Sequence, residues 1–137
     1  MVKFCSRASV MHTACHELLG HGVGKLIYRN ADGSTRTFVD PITNEEYTSC
    51  YEEGETWGSK FGSISSSFEE CRADTLGIYL SKFPEVYSLF DIKDEEIDEV
   101  WLLVFLLKVR QGVLGMRAYN PETAKWGQAH SQGMFVL

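Results

Sequence analysis

Apolar positions recur at helical spacing through most of the chain. From Ser9 to Leu19, the sets Val10, Ala14, Leu18 and Met11, Cys15, Leu19 fall on one side of a helix. Gly20, Gly22 and Gly24 then end or distort it. KLIYRN and STRTFVD read as short β-runs, and Ala31-Asp32-Gly33 supplies turn residues between them, so one small hairpin is predicted. Residues 40–62, with Pro41, Asn44, Gly54, Gly58 and Gly62, read as a long irregular connection. A second helix is predicted from Ser65 to Phe83, with Pro84 just beyond its end, and a short third one from Glu85 to Phe90. The acidic run DIKDEEIDEV opens a fourth, because negative charge in a first turn suits the helix dipole. That helix continues through WLLVFLLKVRQGVLGM, is apolar nearly all round, and is expected to be deeply buried. Pro121 is expected to begin a last helix, PETAKWGQAHSQGMF. The predicted fold is mainly α with one small β-hairpin, a single domain over residues 1–137.

Composition narrows the function classes. With 44% hydrophobic and 23% charged residues, the 137-residue chain can bury a core. Thirteen basic residues against nineteen acidic ones give a net charge of −6, which argues against nucleic-acid binding and against a polybasic membrane anchor. The longest apolar run, Val100 to Leu107, is far short of the roughly 20 residues that span a bilayer. MVKFCSRASV lacks the apolar stretch of a signal peptide. Cys5, Cys15, Cys50 and Cys71 are widely spaced, too sparse for a disulfide-framed secreted fold, and point to a reducing, cytoplasmic setting.

Candidate chemistry sits in two segments. The first is His16-Glu17-Leu18-Leu19-Gly20-His21. Two imidazoles flanking a glutamate on a helix form the arrangement of a zinc peptidase, two ligands beside a general base. The spacing is one residue longer than H-E-x-x-H. On a regular helix, i and i+5 diverge by about 140°, so both rings reach one ion only if the helix carries an extra residue, as in a π-bulge. Gly20 is placed to absorb that distortion. The plain alternative is a helix end with two unrelated histidines. His12 and His16, at i and i+4, form another possible metal pair. The second segment is Glu69-Glu70-Cys71-Arg72-Ala73-Asp74. A carboxylate is a usual third zinc ligand, and further carboxylates accept the other ring N–H of each histidine. The alternative here is a solvated acidic face paired with Arg72. Cys15 and Cys71 neighbour these residues and are expected to pack rather than ligate. Trp57, Trp101 and Trp126 are expected in the core or a cleft wall, and Lys108 and Arg110 to snorkel or pair with nearby acids.

HELLGHG followed by EECRAD closely resembles the two signature motifs of the dipeptidyl peptidase III family. GKL after the first motif, GETWGSKFGSISSSFEECRAD around the second and WGQAHSQ near the end extend the likeness from Ser9 to Leu137. The resemblance implies one zinc per chain, held by His16, His21 and Glu70, with Glu17 as the catalytic glutamate. It implies that Glu69 and Asp74 orient His21 and His16, Asp74 standing where the family usually has glutamate. His130 matches a histidine that stabilises the transition state, and Gln128 a substrate-contacting glutamine. Family members remove dipeptides from the N-termini of short peptides in the cytosol.

They are also several times longer than this chain, with two lobes enclosing the peptide, so the chain resembles the zinc-bearing core of one lobe. Three further differences from the family stand out. Gly58 replaces a cleft aspartate of animal enzymes, and Met134 replaces an arginine able to grip a carboxylate. Ile42-Thr43-Asn44-Glu45 stands where animal members carry an adaptor-binding ETGE loop, so that partner is not expected. Two functions follow. One is a zinc exopeptidase releasing dipeptides. The other is an inactive zinc-binding remnant or truncated paralogue acting as an interaction module.

Overall fold

A computed structural model describes residues 2–24, 26–35, 37–47 and 49–137. Lys25 and Arg36, within the two predicted β-runs, lie outside the described residues. The fold is mainly α, with two short antiparallel β-pairs among the described residues. Two compact units are distinguished: one takes the chain up to Val23 and from Ser66 to Leu137, the other runs from Gly24 to Ser65.

In the larger unit, α1 (Val2–Ala14) passes directly into a π-helical turn over Cys15–Gly20. Ala8, Met11 and Cys15 are buried at helical spacing. α3 (Ser65–Leu80) buries Ser67, Ala73, Asp74 and Gly77, a set of small and polar residues. It stops three residues before the predicted Phe83. Pro84 forces the residue before it into an extended conformation, seen in Phe83 at φ −97°, ψ 119°, and itself opens α4 (Pro84–Ser88). α5 spans Ile97–Gly115, with Asp98 and Glu99 in its first turn. Ala8 and Met11 of α1 meet Val100, Leu103 and Val104 of α5, together with Tyr87 and Ile92, in the core. Trp101 packs partly buried against the same cluster and stacks on Phe105.

Two expectations are corrected. α5 is not buried all round: Leu102, Phe105, Leu106, Val109 and Val113 are each about half exposed or more. The helix packs chiefly on α1 and on α6 (Ala129–Val136), and these side chains are left partly uncovered. The last helix does not begin at Pro121. Residues 119–126 form a hairpin, β3 (Tyr119–Asn120) against β4 (Lys125–Trp126). Asn120 Oδ1 accepts from the backbone N–H groups of Glu122 (2.9 Å) and Thr123 (3.3 Å), and Ala124 turns left-handed at φ 52°. This Asx turn outcompetes the helix start that Pro121 resembles.

α6 starts instead at Gln128, whose Oε1 accepts from Ser131 N–H as an N-cap. It lies so close to α5 that a Cβ on Gly112 would meet Met134 O at 2.6 Å, and one on Gly115 would meet Ser131 O at 2.8 Å. Only glycine allows this approach, and it fixes where α6 presents His130.

In the smaller unit, β1 (Phe38–Val39) pairs with β2 (Glu46–Tyr47), inside what reads as irregular sequence. Asp40 nucleates that turn, accepting from Ile42 N–H at 2.7 Å and from the Tyr47 hydroxyl at 2.9 Å. The turn predicted at Asp32-Gly33 forms, and among the described residues it carries the single bridge Arg29–Thr35. α2 (Trp57–Phe61) includes Gly58 and is capped by Thr56.

Candidate metal centre

The π-turn sets the site. His21 N–H donates to His16 O at 3.0 Å, an i→i−5 bond that carries the extra residue the HELLGH spacing requires. The two rings consequently stand 4.7 Å apart, centroid to centroid, and their Nε2 atoms approach to 3.1 Å. Gly20 lets the turn sit directly on α3: a Cβ there would fall 2.8 Å from the Cα, Cβ and carbonyl oxygen of Ala73. That contact brings His16 and His21 over the acidic face of α3.

Each ring is oriented from behind. His16 Nδ1 lies 2.9 Å from Asp74 Oδ1, and His21 Nδ1 lies 3.1 Å from Glu69 Oε1. A carboxylate oxygen only accepts, so each Nδ1 carries the proton and each Nε2 presents a lone pair. Glu69 is itself gripped by Arg72, at 2.6 and 3.0 Å, and this contact above all holds its carboxyl below the usual range. Arg72 also donates to Val23 O at 3.0 Å.

Glu70 closes the triangle. Its Oε2 lies 3.3 Å from His16 Nε2 and 3.7 Å from His21 Nε2. This oxygen is buried and has no aligned hydrogen bond, despite its close neighbours. Two facing lone pairs and a carboxylate oxygen converging on one point repel one another unless a cation lies between them. A tetrahedral zinc with bonds of about 2.0–2.1 Å separates its ligand atoms by roughly 3.3 Å, and the observed 3.1, 3.3 and 3.7 Å bracket that value. The donor set therefore fits a metal ion.

Glu17 is exposed, and its carboxylate groups with the nitrogens of His16 and His21, all within 4.8 Å of one another. On the other side, His130 Nε2 lies 3.0 Å from Glu70 Oε2. Gln128 determines which nitrogen of His130 is protonated. Its Oε1 is committed to the helix cap, so its amide Nε2 donates to His130 Nδ1 at 3.0 Å. His130 then carries its proton on Nε2, aimed into the site.

A family model described as peptidase family M49 matches residues 1–137. The chain belongs to that family. Dipeptidyl peptidase 3 of Rattus norvegicus is 44% identical over 126 residues, covering 89% of this chain and 17% of that protein. The Homo sapiens protein is 43% identical over the same shares. Dipeptidyl peptidase 3 of Dictyostelium discoideum is 35% identical over 144 residues, covering 96% of this chain and 21% of its own length. This M49 chain thus spans about a fifth of the length of these relatives, or less.

His16, Glu17, His21, Glu69, Glu70, Asp74 and His130 come together at one place in this M49 chain, with Gln128 one step behind, on His130. The alternative pair His12 and His16 does not converge: their centroids are 6.4 Å apart, and His12 Nε2 packs instead 3.0 Å from where a Gly77 Cβ would be. Burial first, and then the Lys108 charge, lower the pKa of His12 to about 4. Among the described residues, neither Cys15 nor Cys71 joins a group able to hold a metal, and burial pushes the Cys15 thiol up. Lys108 finds its acid in Asp74, 2.7 Å away. Sequence reasoning did not single out Gln132, whose Oε1 accepts from Ser67 Oγ at 2.6 Å and ties α6 to α3. Nothing in the local sequence marks it.

Proposed function

We propose that this chain carries the zinc centre of an M49 peptidase that removes dipeptides from the N-termini of short peptides. His16, His21 and Glu70 hold one zinc. The reading rests above all on the triangle of His16 Nε2, His21 Nε2 and Glu70 Oε2, whose edges suit tetrahedral zinc. When bound, zinc supplies Lewis acidity, which makes water acidic near neutral pH and polarises a peptide carbonyl. Glu17, exposed beside the histidine pair, takes the proton from the attacking water on its carboxylate and later gives it to the leaving amine. His130, protonated on Nε2 through Gln128, donates to the oxygen that gains charge. Glu69 and Asp74 keep the protons of His21 and His16 on Nδ1, so neither ring turns its N–H toward the metal.

A cytoplasmic setting belongs to this proposal, and no helix among the described residues is long and apolar enough to cross a membrane. The test is twofold: elemental analysis for one zinc per chain, and amine release from a dipeptidyl-arylamide with Glu17→Gln as the blank. Absence of zinc, or release that Glu17→Gln leaves intact, refutes the reading. A second reading, a zinc-binding module without turnover, is favoured by the exposed apolar side of α5. Under it, zinc binds but no Glu17-dependent amine release is found.

A further inference from the structure

Asp74 is the most enclosed charge of the larger unit, 1% exposed, and lies behind His16. A buried carboxylate with no cation beside it is strongly unfavourable. Lys108 meets this need from the middle of an otherwise apolar stretch of α5. Its side chain is 11% exposed, and its ammonium donates to Asp74 Oδ1 at 2.7 Å while Met134 Sδ packs 3.7 Å away. The same oxygen, Oδ1, accepts from His16 Nδ1 at 2.9 Å, whereas Oδ2 is buried without a partner. The remaining group at Asp74 is His12, whose Nε2 is 3.9 Å from Oδ1, buried, and also without a hydrogen bond. His12 is neutral near pH 7 and supplies no charge. Lys108 alone therefore balances Asp74 among the described residues around it, and it does so through the one oxygen that orients His16.

We propose that Lys108 is a positioning residue of the metal site, acting through Asp74 to hold His16 with its proton on Nδ1 and its Nε2 lone pair toward the metal. This inference rests on the zinc reading above and extends it one layer outward, to a different helix. An aspartate has a short arm, and Oδ1 is held between His16 and Lys108, so without the ammonium its carboxylate is free to turn both oxygens off the line of His16 Nδ1. An apolar residue at 108 leaves that rotation unopposed.

The experiment uses the 137-residue chain. Zinc affinity is measured by competition with a chromophoric chelator, with Co(II) spectra reporting the ligand set. Nitrogen NMR of the metal-free protein reports which nitrogen of His16 is protonated. Lys108→Met is expected to weaken zinc about 10- to 100-fold, the range for removing a group behind a metal-ligating histidine, and to alter the Co(II) spectrum. Lys108→Arg, which keeps the charge, is expected to restore both. Wild-type His16 is expected to be protonated on Nδ1 before any metal is added. Unchanged zinc affinity in Lys108→Met, or a wild-type His16 protonated on Nε2, overturns the proposal; the second result needs no variant to fold. Failure of the wild-type chain to bind zinc at all overturns the metal reading itself. Wild-type binding with an indifferent Lys108→Met overturns only the role of Lys108.

Discussion

Gly20→Ala is the sharpest test of how the π-turn builds the site. An added Cβ falls 2.8 Å from three atoms of Ala73, namely Cα, Cβ and the carbonyl oxygen. Ordinary carbon contacts lie at about 3.5–4.0 Å, so the turn must retreat from α3 by roughly 0.7 Å or more. Overpacking of this kind costs about 1–3 kcal/mol. Against it stands the better helix propensity of alanine, worth about 1 kcal/mol in an ordinary helix interior. Gly20 has no positive φ, so backbone strain adds nothing. The net loss is about 0–2 kcal/mol, a modest fall in melting temperature.

The effect on metal binding is larger, because the bonds crossing the same interface are already spent at 2.9 Å (His16–Asp74) and 3.1 Å (His21–Glu69). A retreat of that size carries them past about 3.5 Å, beyond hydrogen-bond length. Loss of such orienting bonds lowers metal affinity about 10- to 100-fold. Ala73→Gly in the same chain relieves only the Cβ–Cβ clash, since the backbone atoms of residue 73 remain as close. Rescue is therefore partial. Thermal melts and chelator competition on Gly20→Ala and the double variant measure both effects. Wild-type zinc affinity in Gly20→Ala would refute the claim that this close contact sets the ligand geometry.

Three further outcomes are expected. His21→Ala loses zinc whereas His12→Gln retains it, as read by elemental analysis, because only His21 shares the convergent triangle with His16 and Glu70. Gln128→Ala removes the α6 cap, costing about 1 kcal/mol in thermal melts, and slows any amine release without changing zinc content, since it touches His130 and no ligand. In chelator-treated protein, stability falls as pH drops from about 6.5 toward 4: His12, with its pKa lowered from 6.5 to about 4, takes up its proton in the unfolded chain before the folded one. The full contribution, about 3 kcal/mol at most, is present above pH 6.5, and His12→Gln should flatten this slope in pH-dependent melts.

The helical framework was legible because its signals are local. Pro84 marked the end of α3, and the acidic run before Ile97 marked the start of α5. Where prediction failed, a side chain competed with the backbone pattern. Asn120 turned an apparent helix start into a hairpin, and Asp40 organised β1 and β2 inside a stretch that reads as irregular. The exposure of α5 was not legible for another reason. Hydrophobicity all round a helix states what needs covering, whereas Phe105 and Val113 are exposed because α1 and α6 cover only part of its circumference.

Within the site, legibility followed sequence distance. The i, i+5 spacing of His16 and His21, with Gly20 between them, demands a helix carrying one extra residue, and Cys15–Gly20 is π-helical. Six consecutive residues suffice to require it, with no tertiary information. The convergence of Glu69, Glu70 and Asp74 on those rings came from the paired motifs, because spacing alone also described a solvated acidic face. Lys108, Gln128 and Gln132 stand at the far end of this scale. Lys108 and Gln132 act across helix interfaces, on Asp74 and Ser67 of α3, and Gln128 acts within α6 on His130, while backbone contacts set how closely the helices lie. No periodicity encodes that distance: a glycine in a helix reads as a weak point until its partner is known. What reads as a weak point in α6, Gly133, is where that helix lies against α3, since a Cβ there would meet Ser67 O and Cys71 N at 3.1 Å, so the reach of His130 to Glu70 depends on a residue that carries no side chain at all.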